Sequence, residues 1–510
     1  MKKIHLIGIS TIAMSALALT GCLSHFINPP ADYEGEKLEL AYHYSDYLDH
    51  NYYDMDYCPT SGTPKLLIIP TWFTNSSSYI SESKKSTVKA DIENAYFGTT
   101  SSTGWNSVST YYNTLSNNTL TLTGVVSDWW SCGLSSSTVA NYGDSSSLVN
   151  SAVNWYFSQS GSDSRKSFDT DGNGHLDGVM LIYACPNYDT LHQESNNLWA
   201  YCFWTENDAN ISNPTPGVFF WASYDFMYGS VSDAVSHTGK SYYYGNTDYC
   251  EIDTHTYIHE MGHVFGLDDY YDYTGNTSPA GALTMQDANV CCHDPFSAMA
   301  LGWANPYIVT SSCSITINDF QSSHDLILVT NEWNTFNSPF DEYLLLELYT
   351  PTGLNAFDCN HSYYGYSTYQ GPKTPGIRVW HVDARLTHWV ENSYNSYFTT
   401  SLSANPTIDL SYLAMSNTSY DSEYEGYYSF LGKSYCDYNL LQLIRNNTSE
   451  TYKSQSVFNK NDLFTLGDTF SLSQFSKQFV KGTKMNNGNA LNLSFTVNSL
   501  SSTSATLSFY

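Results

Sequence analysis

Hydrophobic positions along the chain fall into three regimes. From Ile4 to Leu19 they run together behind Lys2 and Lys3, the layout of a signal peptide rather than of a folded element. From residue 65 to about 300, short continuous runs alternate with helical spacing. Lys65 to Ile69 reads as a buried strand. Val88, Ile92 and Tyr96 fall on one helical face with Gly98 as the stop, and Val108, Tyr111, Tyr112 and Leu115 repeat that signature. A strand over 120–126, a helix around 148–156 and a strand over 179–184 follow. Beyond Pro306 short strands take over, joined by Asn- and Ser-rich connections. Leu491, Leu493, Phe495 and Val497, then Ala505, Leu507 and Phe509, form two alternating runs. The pattern predicts an α+β fold whose second half is an all-β sandwich.

A chain of 510 residues exceeds one compact core, so more than one domain is expected. The divisions predicted are a signal peptide over 1–21, a polar, Tyr-rich tether or short pro-segment over 22–60, and folded units over 61–305 and 306–510. The signal segment ends in Leu19-Thr20-Gly21-Cys22, which resembles a bacterial lipobox. Cleavage there leaves Cys22 to be acylated, and several fatty chains together anchor a protein stably. The chain is therefore expected to be exported and held at the cell surface or envelope through Cys22, with a soluble body and no other membrane contact.

Loss of residues 1–21 removes two lysines and no acids, taking the formal charge from −29 to −31. Such a surface repels nucleic acid and anionic headgroups and excludes a nucleic-acid partner. Ten cysteines follow Cys22, and in an exported protein some pairing is expected. Adjacent Cys291 and Cys292 are poorly disposed to pair with each other, so separate partners or free thiols are expected there.

The stretch richest in chemistry is His259-Glu260-Met261-Gly262-His263. On a helix His259 and His263 stand at i and i+4, so both imidazoles project from one face and can share a zinc ion. Glu260 is badly placed to ligate but able to take a proton from an attacking water. Gly266 can adopt a left-handed conformation and end the helix, turning the chain so that Asp269 supplies a third ligand. Asp268 and Asp272 are nearby rivals; spacing favours Asp269. A fourth position left for water and substrate makes such a site catalytic. His255, one turn earlier, reads as a packed or hydrogen-bonded helix residue.

Extended to Asp272, this stretch resembles the signature of the immune inhibitor A family of secreted bacterial zinc metallopeptidases, which is metzincin-like. Val108–Tyr112 and Leu122–Trp130 are similar to the family's upstream helix and strand, and Pro295–Trp303 to the segment closing its catalytic domain. Tyr343–Glu347 and Pro375–Asp383 are similar to its β-domain strands. The resemblance runs from about residue 65 to the C-terminus. It implies a zincin-type catalytic domain over 61–305, an endopeptidase acting on protein or peptide substrates, Glu260 as the catalytic residue, and Met285 in a tight turn beneath the metal. The family often places Pro where this chain has Asp268.

Asp169, Asp171, Asn173 and Asp177, with Gly174 at the sixth position, match oxygen ligands 1, 3, 5 and 9 of a calcium loop. Met180 stands where the loop's terminal Glu belongs, and an Asx-rich turn would satisfy the same residues. A calcium site is expected here. The competing functional class is a surface-anchored binding or adhesive protein on the same scaffold. Intact His259, Glu260 and His263 argue for the enzyme.

Overall fold

The computed structural model describes residues 30–48, 56–141, 145–187, 196–228, 241–243, 246–250, 252–361, 370–391, 396–418 and 437–510. The signal segment and Cys22 lie outside the described residues. Helices and several sheets are mixed along the chain, in agreement with the α+β expectation.

The first half is built on a mostly parallel sheet. Five of its six strands are β1 (Lys65–Trp72), β2 (Thr123–Val126), β3 (Val179–Tyr183), β4 (Tyr201–Trp204) and β5 (Val218–Ser223), in the spatial order β2-β1-β3-β5-β4; the sixth, Trp130–Ser131, pairs in parallel with the end of β1. Only the edge strand β4 is antiparallel to its neighbour. Near-continuous apolar runs make these strands because both faces are covered. Leu67, Ile69, Val179, Leu181, Phe219 and Trp221 pack on one side against helix Ser145–Phe157. Leu66, Ile68, Met180, Ile182 and Phe220 face the other way, into a cluster with Val88, Ile92, Tyr96, Tyr112, Ile258 and Met261.

Beyond Pro306 a five-stranded sheet runs in the order 306–309, 326–329, 342–349, 376–383, 441–444, and a four-stranded one in the order 313–318, 504–509, 495–500, 469–470. They meet across one apolar cluster. Strand Glu342–Tyr349 is buried along its whole length: Leu344, Leu346 and Leu348 face the second sheet, whereas Tyr343, Leu345 and Tyr349 join the cluster of the first half. The two expected units thus share a core.

Several expectations are corrected. The strand expected from Leu120 begins at Thr123, because Leu120 makes only an isolated bridge to Gly62. Leu491 and Leu493 precede the strand Phe495–Leu500; there Asn492 N donates to the Asn331 side chain instead of to a neighbouring strand. The described part of the expected tether is packed into the body: Leu40, Tyr44, Tyr47 and Leu48 are buried, and the Tyr44 and Tyr47 rings contact Phe340. The eight cysteines whose side chains are described are all free thiols. No helix among the described residues is long and apolar enough to cross a membrane.

Candidate metal centre

Helix α1, His255–Val264, carries the motif and is buried on nearly every face. Its start is fixed by Asp253, whose Oδ1 accepts from His255 N at 3.0 Å. Tyr257 Oη donates to Ser223 O in β5 at 2.9 Å, and Tyr112 Oη donates to Ile258 O at 2.6 Å. Its end is a glycine-dependent cap: Gly266 has φ +99°, Gly266 N donates to His263 O and Leu267 N to Gly262 O. That pair of bonds is the Schellman arrangement. No side chain fits at Gly266, because a Cβ would lie 2.5 Å from Leu48 Cδ1.

The turn after Gly266 brings Asp269 back to the helix, as the spacing predicts. The Nε2 atoms of His259 and His263 are 3.2 Å apart, and Asp269 Oδ1 is 3.0 and 3.2 Å from them. Each ring has its Nδ1 against a carbonyl, His259 on Met285 O at 2.8 Å and His263 on Leu267 O at 2.6 Å. A carbonyl only accepts, so each Nδ1 carries a hydrogen and each ring turns its Nε2 inward, where it would offer a lone pair to a metal on releasing its own proton. Three electron-pair donors therefore converge. The centre of so small a triangle is about 1.8 Å from each corner, so an ion with bonds of about 2.0–2.1 Å fits just outside its plane with one side uncovered. Among the described residues this is the only cluster of three such groups with metal-ligand spacing.

Burial would raise the Asp269 carboxyl, but His263 and then His259 hold it well below the usual carboxylate range. Burial likewise opposes a charge on His263, yet Asp269 outweighs it and lifts the ring to about 10. The site is thus built to hold positive charge. Tyr273 Oη donates to Asp269 Oδ2 at 2.5 Å and fixes the carboxylate's second oxygen. The rivals are disposed otherwise: Asp268 is exposed, and Asp272 accepts from Thr274 and Thr277 through both oxygens.

Glu260 lies beside the triad, with Oε2 buried and without a hydrogen-bond partner among the described residues. Burial raises its carboxyl, against the pull of His259 and His263, which makes it a stronger base than an exposed glutamate. All four residues line a cavity of about 800 Å³, walled by Trp199, Tyr201, Trp204, Phe226, Tyr271 and Tyr273. Edge strand β4 forms one side of it.

Met285 is buried, and its backbone carbonyl orients His259. Gln286 packs so tightly on the helix that a Cβ at Gly262 would come within 2.2 Å of it, and Gln286 in turn accepts from His293 at 3.1 Å. His255 is buried and hydrogen-bonded, as expected. Its Nδ1 is 2.7 Å from Asp253 Oδ1, and its Nε2 is 3.1 Å from Asp358 Oδ1, over a stacked Trp105 ring. Asp358 belongs to the second half of the chain and has no local sequence signal. Tyr273, four residues from Asp269, could have been found from spacing.

The acidic loop is brought together differently. Asp177 accepts from Lys65 N, Thr170 N and Thr170 Oγ1, so it braces β1. Asp171 accepts from Asn173 N, and Asn173 Oδ1 from His175 N. Asn173 Nδ2 reaches Asp56 Oδ1 at 2.8 Å, an acid the sequence pattern misses because it lies over a hundred residues upstream. Asp169 Oδ1 and Asp56 Oδ2 are buried without hydrogen-bond partners, and burial raises the Asp56 carboxyl to about 7. Asp169, Asp171, Asn173 and Asp177 thus mostly bond their own loop, and their oxygens do not converge as the His259 triad does.

Comparison with known protein families and with curated proteins returns no match.

Proposed function

We propose that the protein is a zinc-dependent endopeptidase that hydrolyses extracellular proteins or peptides, with residues 61–305 as a zincin-type catalytic domain and 306–510 as a β-sandwich-like domain behind it. The observation carrying this reading is the convergence of His259 Nε2, His263 Nε2 and Asp269 Oδ1, with an unpartnered Glu260 oxygen beside them in an open cavity. Two nitrogens and one carboxylate oxygen suit zinc and leave a coordination position uncommitted. When bound, zinc supplies a Lewis acid that makes water acidic and polarises a substrate carbonyl.

The chain's own residues do the rest. Glu260 takes the proton from the attacking water and returns it to the leaving amine, a role its raised, desolvated carboxyl favours. Tyr273 holds Asp269, while Met285 O and Leu267 O hold the two rings in the ligating tautomer. Among the described residues the outer edge of β4 has no strand partner, so its backbone groups would be offered to an extended peptide lying in the cavity.

Export, acylation at Cys22 and attachment to the cell surface complete the proposal, as does a calcium ion that would draw together the loop of Asp169, Asp171, Asn173 and Asp177, with the neighbouring Asp56 carboxyl added to that set. Resemblance to the immune inhibitor A family supports the same reading through the motif residues. The test is hydrolysis of unfolded casein: activity should vanish with a zinc chelator and return with zinc. Activity indifferent to chelation sinks the proposal.

A further inference from the structure

Two thiols from distant parts of the chain meet beside Asp358, the carboxylate that holds His255 at the start of helix α1. Cys291 follows the short helix Met285–Ala288 under the site, and Cys359 lies in helix Ala356–Asn360 of the second half. Both are buried. Their side chains interact with each other and both sulfurs lie at one spot, beneath Gly371. A Cβ added there would stand 2.7 Å from Cys359 Sγ and 3.1 Å from Cys291 Sγ. The two segments are already tied through Asp358, whose Oδ2 accepts from Cys291 N at 2.6 Å, while its backbone carbonyl accepts from Gly371 N at 3.0 Å. Neighbouring Cys292 is engaged elsewhere: its thiol bonds Gln321 and its N donates to Asn355 Oδ1. The pairing choice within the Cys291-Cys292 dipeptide is thereby made by geometry.

We propose that Cys291 and Cys359 form a disulfide in the mature protein, stapling the loop under the metal centre to the second half of the chain. The bond would lock the carboxylate of Asp358, which holds His255 at the start of the metal helix. The oxidant is a disulfide of another molecule, such as a dithiol oxidoreductase or oxidised glutathione. The Cys359 thiolate attacks it to form a mixed disulfide and release one donor thiol. The Cys291 thiolate then displaces the second, so two S–H bonds and the donor S–S bond break, one S–S bond forms here, and the donor leaves with two thiols. Exchange belongs to folding, before Gly371 covers the pair.

The full chain, folded in a glutathione redox buffer, should be alkylated under denaturing conditions and mapped by peptide mass spectrometry. The expected result is a reducible peptide joining Cys291 to Cys359. Alkylated Cys291 and Cys359, or a link from either to another cysteine, overturns the proposal. Closing a loop of this length predicts that reduction lowers the melting temperature by about 5 °C. The Cys291→Ser/Cys359→Ser double variant should show no such drop; an equal response to reductant in both proteins also overturns the proposal.

Discussion

Replacing His255 by Gln tests whether the metal helix is held by a buried positive charge. Burial alone would lower the imidazole, but Asp358 and then Asp253 outweigh it and raise the ring from its ordinary 6.5 to about 9. That difference, at about 1.4 kcal/mol per pH unit, amounts to about 3 kcal/mol of stability. Because the folded value is the higher one, the contribution is complete below pH 6.5 and is lost as pH rises through 9. Between pH 7.5 and 9.5 the wild type should therefore lose about 2 kcal/mol that His255→Gln does not lose. Urea unfolding of both zinc-loaded proteins at the two pH values measures this, and any pH effect on zinc itself is shared and cancels in the comparison. Parallel losses in the two proteins would refute a charged His255.

Other outcomes follow from the same geometry. Asp269→Ala should release zinc, because two imidazoles leave the sphere open, whereas Tyr273→Phe should keep it with about 10- to 100-fold weaker affinity; competition with a fluorescent chelator distinguishes them. Gly266→Ala should destabilise by at least about 1–3 kcal/mol in chemical denaturation, since φ is +99° there and Leu48 occupies the Cβ position. Millimolar calcium should raise the melting temperature, and Asp171→Ala or Asp56→Asn should erase most of the rise without changing zinc content.

The candidate metal centre was legible because its parts are local. His259, Glu260, His263 and Asp269 sit on one helix and the turn after it, so helical period and the freedom of Gly266 place them without knowledge of the rest. Strands β1 and β3 were legible for a similar reason, being continuous apolar runs in a sheet covered on both faces. What failed was set by long-range contacts. Asp358 reaches His255 across 103 residues, and Asp56 reaches Asn173 across 117. Leu40, Tyr44, Tyr47 and Leu48 stand at i, i+4, i+7 and i+8, and Tyr44–Leu48 is a short helix; that signal was missed because it is brief and set in a polar, Tyr-rich stretch, which reads as a tether or short pro-segment. Alternation at Leu491 and Leu493 marked burial correctly, but burial beside a sheet is not membership of it.

In the proposed mechanism Glu260 acts on water at a zinc ion held by its neighbours. The most direct measurement is the turnover of a peptide substrate by Glu260→Gln protein in which bound zinc is assayed in the same sample. One equivalent of zinc should remain while turnover falls by at least about 10²- to 10⁴-fold. Near-normal hydrolysis with the zinc in place would contradict the account.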